Sequence, residues 1–110
     1  MARPVKDDVV VVPFPLSDLS KAKRRPALVL AELEGDDLIL CQITSRAVSD
    51  RYAVSLTDAD FTQGGLRLDS NVRPNRLFTA DNAIVLYRVG SLARTKLLEV
   101  VDRVVSILRT

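Results

Sequence analysis

The chain of 110 residues contains no histidine and no tryptophan, one cysteine, four glycines and few aromatic side chains. Without histidine there is no imidazole to shuttle protons at neutral pH, so any acid–base chemistry falls to carboxylates, hydroxyls or water. The lone Cys41 excludes an internal disulfide and, inside a strand-like stretch, reads as a small buried hydrophobe. No cluster of Cys, Asp or Glu has the spacing of a metal site, and Asp36-Asp37 reads as a solvated turn, so neither metal nor cofactor is expected. No apolar run approaches the ~18 residues that a membrane-spanning helix needs. Met1-Ala2-Arg3-Pro4 runs into Lys6-Asp7-Asp8 without a signal-peptide core, which points to a soluble cytoplasmic protein.

What is present suits one small folded domain over residues 1–110, since 47% of the side chains are hydrophobic and 27% charged. The net charge is only +2. Its distribution is uneven: Lys21, Lys23, Arg24 and Arg25 fall together, whereas Asp36, Asp37, Asp58 and Asp60 lie elsewhere. Local basicity of this kind points to an acidic partner.

Residues 8–14 include four consecutive valines, whose β-branching favours an extended strand buried on both faces. Pro13 and Pro15 end it, and residues 17–23 read as a polar, basic loop. Residues 27–31 and 38–43 form an expected hairpin across the turn 34–37. The polar stretch 45–50 follows, and alternation over 52–56 suggests a third strand of the hairpin region. Residues 57–61 carry an N-cap residue and early acids, enough for one helical turn before Gly64-Gly65 breaks regular structure. Residues 70–73 and 76–79 read as two short strands bent at Pro74, and 83–89 as another before Gly90.

From 93 to 109 the apolar period becomes helical. Leu97, Val101, Val104 and Leu108 recur on one face, with Leu98 and Val105 widening the stripe. The expected class is α+β, mostly β: a small curled antiparallel barrel with a terminal helix over one opening. Periodicity alone leaves open whether apolar surface from Val85, Leu86 or the helix continues into a partner subunit.

The hairpin has a chemical consequence. An antiparallel ladder folds the entrance of one strand beside the exit of the next, which makes Arg25 and Thr44 neighbours. A cation and a hydroxyl together form a candidate anion site, and in a basic chain a nucleic-acid phosphate is the first anion to consider.

In order and spacing, Asp8-Val9-Val10, Arg25-Pro26-Ala27-Leu28-Val29-Leu30, Cys41-Gln42-Ile43-Thr44-Ser45, Gly65-Leu66 with Asp69-Ser70, Leu77-Phe78-Thr79 and Val89-Gly90 resemble the MazF/PemK family of toxins from type II toxin–antitoxin systems. The resemblance implies an SH3-like barrel of the CcdB/PemK kind. It also implies a metal-independent, sequence-selective endoribonuclease, an mRNA interferase, that cuts single-stranded RNA without a cofactor. A homodimer, a cognate antitoxin partner and DNA binding together with that antitoxin are further implications. By resemblance Arg25 takes the place of the catalytic arginine before proline and Thr44 that of the threonine ending the paired strand, with Ser45 beside it. Other branches use an arginine and an acid in the later segment; these fall on Arg73 and Asn75, so the acid is replaced. The family's glycine before the opening aspartate is Asp7 here, and Ala93 stands where a helix-capping serine or aspartate is expected.

The chemistry that fits is internal: the 2′-hydroxyl of RNA attacks its own phosphate, giving a cyclic phosphate and a free 5′-hydroxyl. An arginine aimed at the phosphoryl oxygens from a partly dry pocket contributes about 2–4 kcal/mol when it acts as an oxyanion-hole donor does. That role falls to Arg25, with Thr44 holding the phosphate or the 2′-oxygen in line. Lys23, Arg24, Arg46, Arg73 and Arg76 are candidate contacts to the RNA backbone. Loops 46–51 and 60–68 would read the sequence, and Tyr52 or Phe78 could stack on bases, although core packing suits Phe78 better. With Asp7 and Asn75 departing from the pattern, the alternative is a non-catalytic binding module on the same barrel, or a toxin that traps a topoisomerase.

Overall fold

A run of valines builds an interior strand here because branched side chains fill both faces of a curled sheet. A computed structural model describes residues 3–14 and 23–110. Its strands are β1 (Asp8–Phe14), β2 (Lys23–Glu32), β3 (Asp37–Thr44), β4 (Val54–Leu56), β5 (Phe61–Gly64), β6 (Ser70–Asp81) and β7 (Tyr87–Leu92), followed by the helix α1 (Arg94–Arg109). They lie in the order β4-β6-β3-β2-β1-β7-β5 as one antiparallel sheet curled into a half-barrel. The expected mostly-β α+β class is therefore correct. The basic loop read over residues 17–23 falls, up to residue 22, outside the described residues; Lys23 already belongs to β2.

Two apolar layers hold the sheet. Val9, Leu28, Cys41, Ile43 and Val72 pack beneath Leu97 and Val100 of α1, while Val10, Val12, Val29, Leu38 and Leu40 fill the opposite face with Val85. Successive residues of one strand thus serve different layers, as the two-residue period of a strand requires. Burial of each large aliphatic side chain contributes about 1.5–3 kcal/mol. Among the described residues no helix is long and apolar enough to cross a membrane.

Several expectations need correction. The strand read over 52–56 starts at Val54 and pairs with β6, not with the hairpin, because Asp50 Oδ1 accepts hydrogen bonds from the N–H groups of Tyr52 and Ala53 and holds them in a turn. The short helical turn does form over Asp58–Asp60, with Asp60 accepting from the Thr57 N–H at 2.9 Å. Gly64 does not end regular structure; it completes β5, which pairs with β7. Gly64 at φ 65 and Gly90 face each other so closely that a side chain on the first would meet the Val89 carbonyl and one on the second the Gln63 carbonyl.

The two strands bent at Pro74 are one long strand with a large bulge. Cys41 pairs with Leu77 and Ile43 with Val72, so Gln42 alone lies opposite residues 73–76. Pro74 has no N–H to give the ladder, and the chain bows outward around it. The bulge is tied back by the Cys41 thiol, which donates to the Arg73 carbonyl at 2.9 Å.

Residues 83–86 are not strand either. The Asp81 carboxylate caps the Ala83 N–H at 2.7 Å and starts a 3-10 turn over Asn82–Ile84, so β7 opens only at Tyr87 and runs through Gly90 to Leu92. The helix stripe is also narrower than its pattern. Leu97 and Val100 are buried and Val101 and Val104 pack against them, whereas Leu98, Val105 and Leu108 are exposed.

Asp7 shows what replaces the expected glycine. It adopts φ 84, the left-handed backbone that aspartate tolerates better than most residues. Its carboxylate takes Arg94 in a two-pronged ion pair, with contacts of 2.6 and 3.1 Å. Arg94 stands in the first helical turn, where a cation opposes the helix dipole, so the Asp7 charge offsets an unfavourable placement. No side chain caps α1; the Ala93 N–H instead donates to the Asp60 carbonyl at 2.8 Å. The neighbouring Asp8 is buried yet satisfied, accepting from Ser91 Oγ at 2.8 Å and from the Val5 N–H at 2.9 Å.

Candidate active cleft

The register of the β2–β3 hairpin decides where its ends meet. Ala27 pairs with Gln42, and carrying that ladder two residues outward sets Arg25 opposite Thr44. Both line one open cleft of about 350 Å³, with Arg24 and Pro26 from the entrance of β2 and Ile43 and Ser45 from the exit of β3. Val11 and Tyr87 contribute from β1 and β7, and residues 65–68 form a facing wall that carries Arg67. Arg25 is half-buried, whereas Arg24, Ser45 and Arg67 are exposed. The cleft therefore joins a partly covered cation to a rim of solvated ones.

Thr44 is oriented by its own loop. The Arg46 N–H donates to Thr44 Oγ1 at 3.1 Å, and Asn71 Nδ2 donates to the Arg46 carbonyl at 3.4 Å. A hydroxyl that already accepts from the backbone keeps its proton for another acceptor.

A second, polar cleft of about 220 Å³ shares Thr44 as a wall and holds Arg46, Asp50 and Arg73. Arg73 is ion-paired to Asp50 at 2.8 Å. Desolvation pulls the Asp50 carboxyl upward, but hydrogen bonds from Arg73, Tyr52 and Ala53 outweigh it and hold the group below the ordinary carboxylate range. Arg73 Nε and Gln42 Oε1, both at the bulge, are buried without a hydrogen-bond partner among the described residues.

Of the residues singled out from sequence, Arg24, Arg25, Thr44 and Ser45 come together in the first cleft, while Arg46 and Arg73 stand in the second. Lys23 and Arg76 are exposed on β2 and β6 and line neither. Tyr52 lies against the end of α1, where Arg103 donates to its carbonyl, with the Arg51 guanidinium 5.4 Å from its ring centre. Phe78 packs edge-to-face on Phe14 at 5.2 Å, consistent with a packing role. Arg67, Tyr87 and Asp50 are additions from the structure. Asp50 had a local signal, an aspartate placed to cap the backbone two residues on. Tyr87 had none, because its position depends on pairing with β1. Among the described residues no group of three or more His, Cys, Asp or Glu side chains is placed to hold a metal ion.

Residues 6–108 match the family described as PemK-like, MazF-like toxin of type II toxin–antitoxin system. Among solved structures, MazF from Deinococcus radiodurans superposes with a TM-score of 0.79 at 22% identity, covering 100% of both chains. A mycobacterial endoribonuclease in complex with its cognate antitoxin reaches a TM-score of 0.74 at 14% identity, over 96% of this chain and 94% of that one. A MazE–MazF complex from Deinococcus radiodurans gives 0.75 at 21% identity, over 98% of this chain and 97% of the other. No curated protein matches the chain.

Proposed function

Because this chain belongs to the PemK-like, MazF-like toxins of type II toxin–antitoxin systems, we propose that it is a sequence-selective endoribonuclease of the cytoplasm that cuts single-stranded RNA. The observation that supports this reading most is the meeting of Arg25 and Thr44 in one cleft, from strand ends joined only by the hairpin register. In the proposed reaction the 2′-oxygen of the substrate attacks its own phosphorus and the bond to the 5′-oxygen breaks. A proton leaves the 2′-hydroxyl, and one is taken up by the departing 5′-oxygen. The products are a cyclic phosphate and a free 5′-hydroxyl.

Arg25 neutralises the charge that grows on the non-bridging oxygens. Being half-buried, it acts at lower effective dielectric than a surface arginine would. Thr44 donates its hydroxyl proton to the phosphate and holds it in line, and Ser45 and Arg24 extend the grip. Arg73 is engaged by Asp50, so its role is to shape the loop beside Thr44 and add positive potential, not to meet the scissile phosphate. The reading includes a cognate antitoxin as partner and a homodimer as the working assembly.

Arg25→Ala and Thr44→Ala should each lower the cleavage rate about 10²–10³-fold, the cost of losing one oriented donor to a transition-state oxyanion. Both should melt with the parent protein. The assay is cleavage of a long transcript in the presence of a chelator, followed by end-group analysis. An Arg25→Ala enzyme as fast as the parent would overturn the assignment. The described walls of the cleft hold no carboxylate, which favours one second reading: a module that grips nucleic acid without cutting it. Intact RNA retained on the protein would select that alternative.

A further inference from the structure

The cleft has an apolar floor as well as a basic rim. Val11 is the cross-strand partner of Tyr87 on one side and of Pro26 on the other. Directly opposed residues of a sheet project to the same face, so Tyr87, Val11 and Pro26 form one row across β7, β1 and β2, and all of them line the cleft. Val11 is covered, but the phenol at the end of the row is 46% exposed, and Leu68 on the facing wall is 66% exposed. Neither side chain belongs to the apolar layers on the two faces of the sheet among the described residues. Elsewhere in the molecule the aromatic rings are occupied: Phe14 on Phe78, Phe61 on the core beneath α1, and Tyr52 beside Arg51. Tyr87 is thus the one aromatic side chain that shares a cleft with Arg24, Arg25 and Arg67.

A flat, exposed ring next to several cations is the pairing that binds unpaired nucleotides, because every base has a face to stack and every phosphate a charge to neutralise. We propose that Tyr87 is the base-stacking residue of this cleft. An unpaired base lies over Tyr87 and Val11, and its flanking phosphates rest on Arg24, Arg25 and Arg67. The proposal rests on the RNA reading above and deepens it: bases held in a duplex cannot reach the ring, so the preference for single strands arises here. Tyr87 binds and positions substrate, and takes no part in the bond changes.

The absence of tryptophan makes this directly measurable, since Tyr52 and Tyr87 are the only tyrosines and dominate the protein's emission. In a Tyr52→Phe protein the signal reports Tyr87 alone. Titration with a short 2′-O-methyl oligoribonucleotide, which lacks the attacking hydroxyl, should quench that emission. The same strand annealed to its complement should not. Replacing the ring by Tyr87→Leu should weaken single-strand binding about tenfold, and Tyr87→Phe should restore it.

Emission that stays unquenched at saturating oligonucleotide, or a Tyr87→Leu protein that binds as tightly as the parent, overturns the proposal. So does a shift in oligomeric state on Tyr87→Leu without loss of binding, which would make the ring a subunit contact. The quenching measurement needs no substitution at Tyr87 and therefore survives a variant that fails to fold. Quenching with no cleavage of natural RNA would sink the nuclease reading and leave this one standing. Cleavage without quenching would do the reverse.

Discussion

Cys41 illustrates how far burial can move a single group. It lies fully inside the apolar layer under α1, and burial pushes its thiol up to about 12. The thiolate is the reactive form, so the folded protein should resist alkylating reagents at neutral pH and react only as fast as it unfolds. The alkaline response has a definite sign. The unfolded thiol ionises near 9.0 and the folded one near 12, so stability is intact below 9.0 and declines between those values. Denaturant melts across that range should show a steeper decline in the parent than in Cys41→Ala, after allowance for the lower starting stability of the variant. Equal slopes would mean that the thiol is less enclosed than it looks.

Among the elements, the segment between β3 and β4 is organised by one carboxylate. Asp50 caps two backbone N–H groups and pins Arg73, whose own position comes from the bulge of β6. With its pKa held down, Asp50 contributes stability that is full above the ordinary carboxylate range and is lost as pH falls through its lowered value. The gap in thermal stability between the parent and Asp50→Asn should therefore be widest near neutrality and close in acid. A gap that persists at the lowest accessible pH would contradict the ion pair. On the proposed reading, such a variant should also cut RNA at altered sequences while keeping Arg25 and Thr44 in place, a change readable by mapping cleavage sites.

The elements legible from sequence were those whose period is local. The valine run gave β1 its bounds, the apolar repeat gave α1, and the turn at 34–37 gave the hairpin, from which the meeting of Arg25 and Thr44 follows by arithmetic alone. What stayed hidden was set by contacts distant in sequence. β5 is a strand only because Gly64 can lie against Gly90, and the two pieces around Pro74 merge only because β3 spans the bulge. Tyr87 enters the cleft through the pairing of β1 with β7, and Arg67 through that of β5 with β7, which no short window contains.

For the molecule as a whole, a net charge of +2 is too small to steer RNA by itself. On the proposed reading, RNA binding should therefore depend on the few cations gathered at the cleft. Each phosphate neutralised by such a side chain adds about 0.7 to the slope of log affinity against log salt for a single strand. Arg67→Ala should flatten that slope by roughly one such contact, whereas Arg76→Ala, at a residue that does not line the cleft, should leave it unchanged. If both variants shift the slope equally, the RNA path is broader than the cleft.

The outermost strands β4 and β5 are three and four residues long. β4 covers only Ser70–Val72 of the twelve-residue β6, so a foreign polypeptide seeking to extend the sheet by backbone pairing would meet the outer edge of Leu77–Asp81 with no strand beside it among the described residues. Capture of this protein by an added strand would then centre on that stretch of β6, whereas the short margins β4 and β5 offer little to pair with.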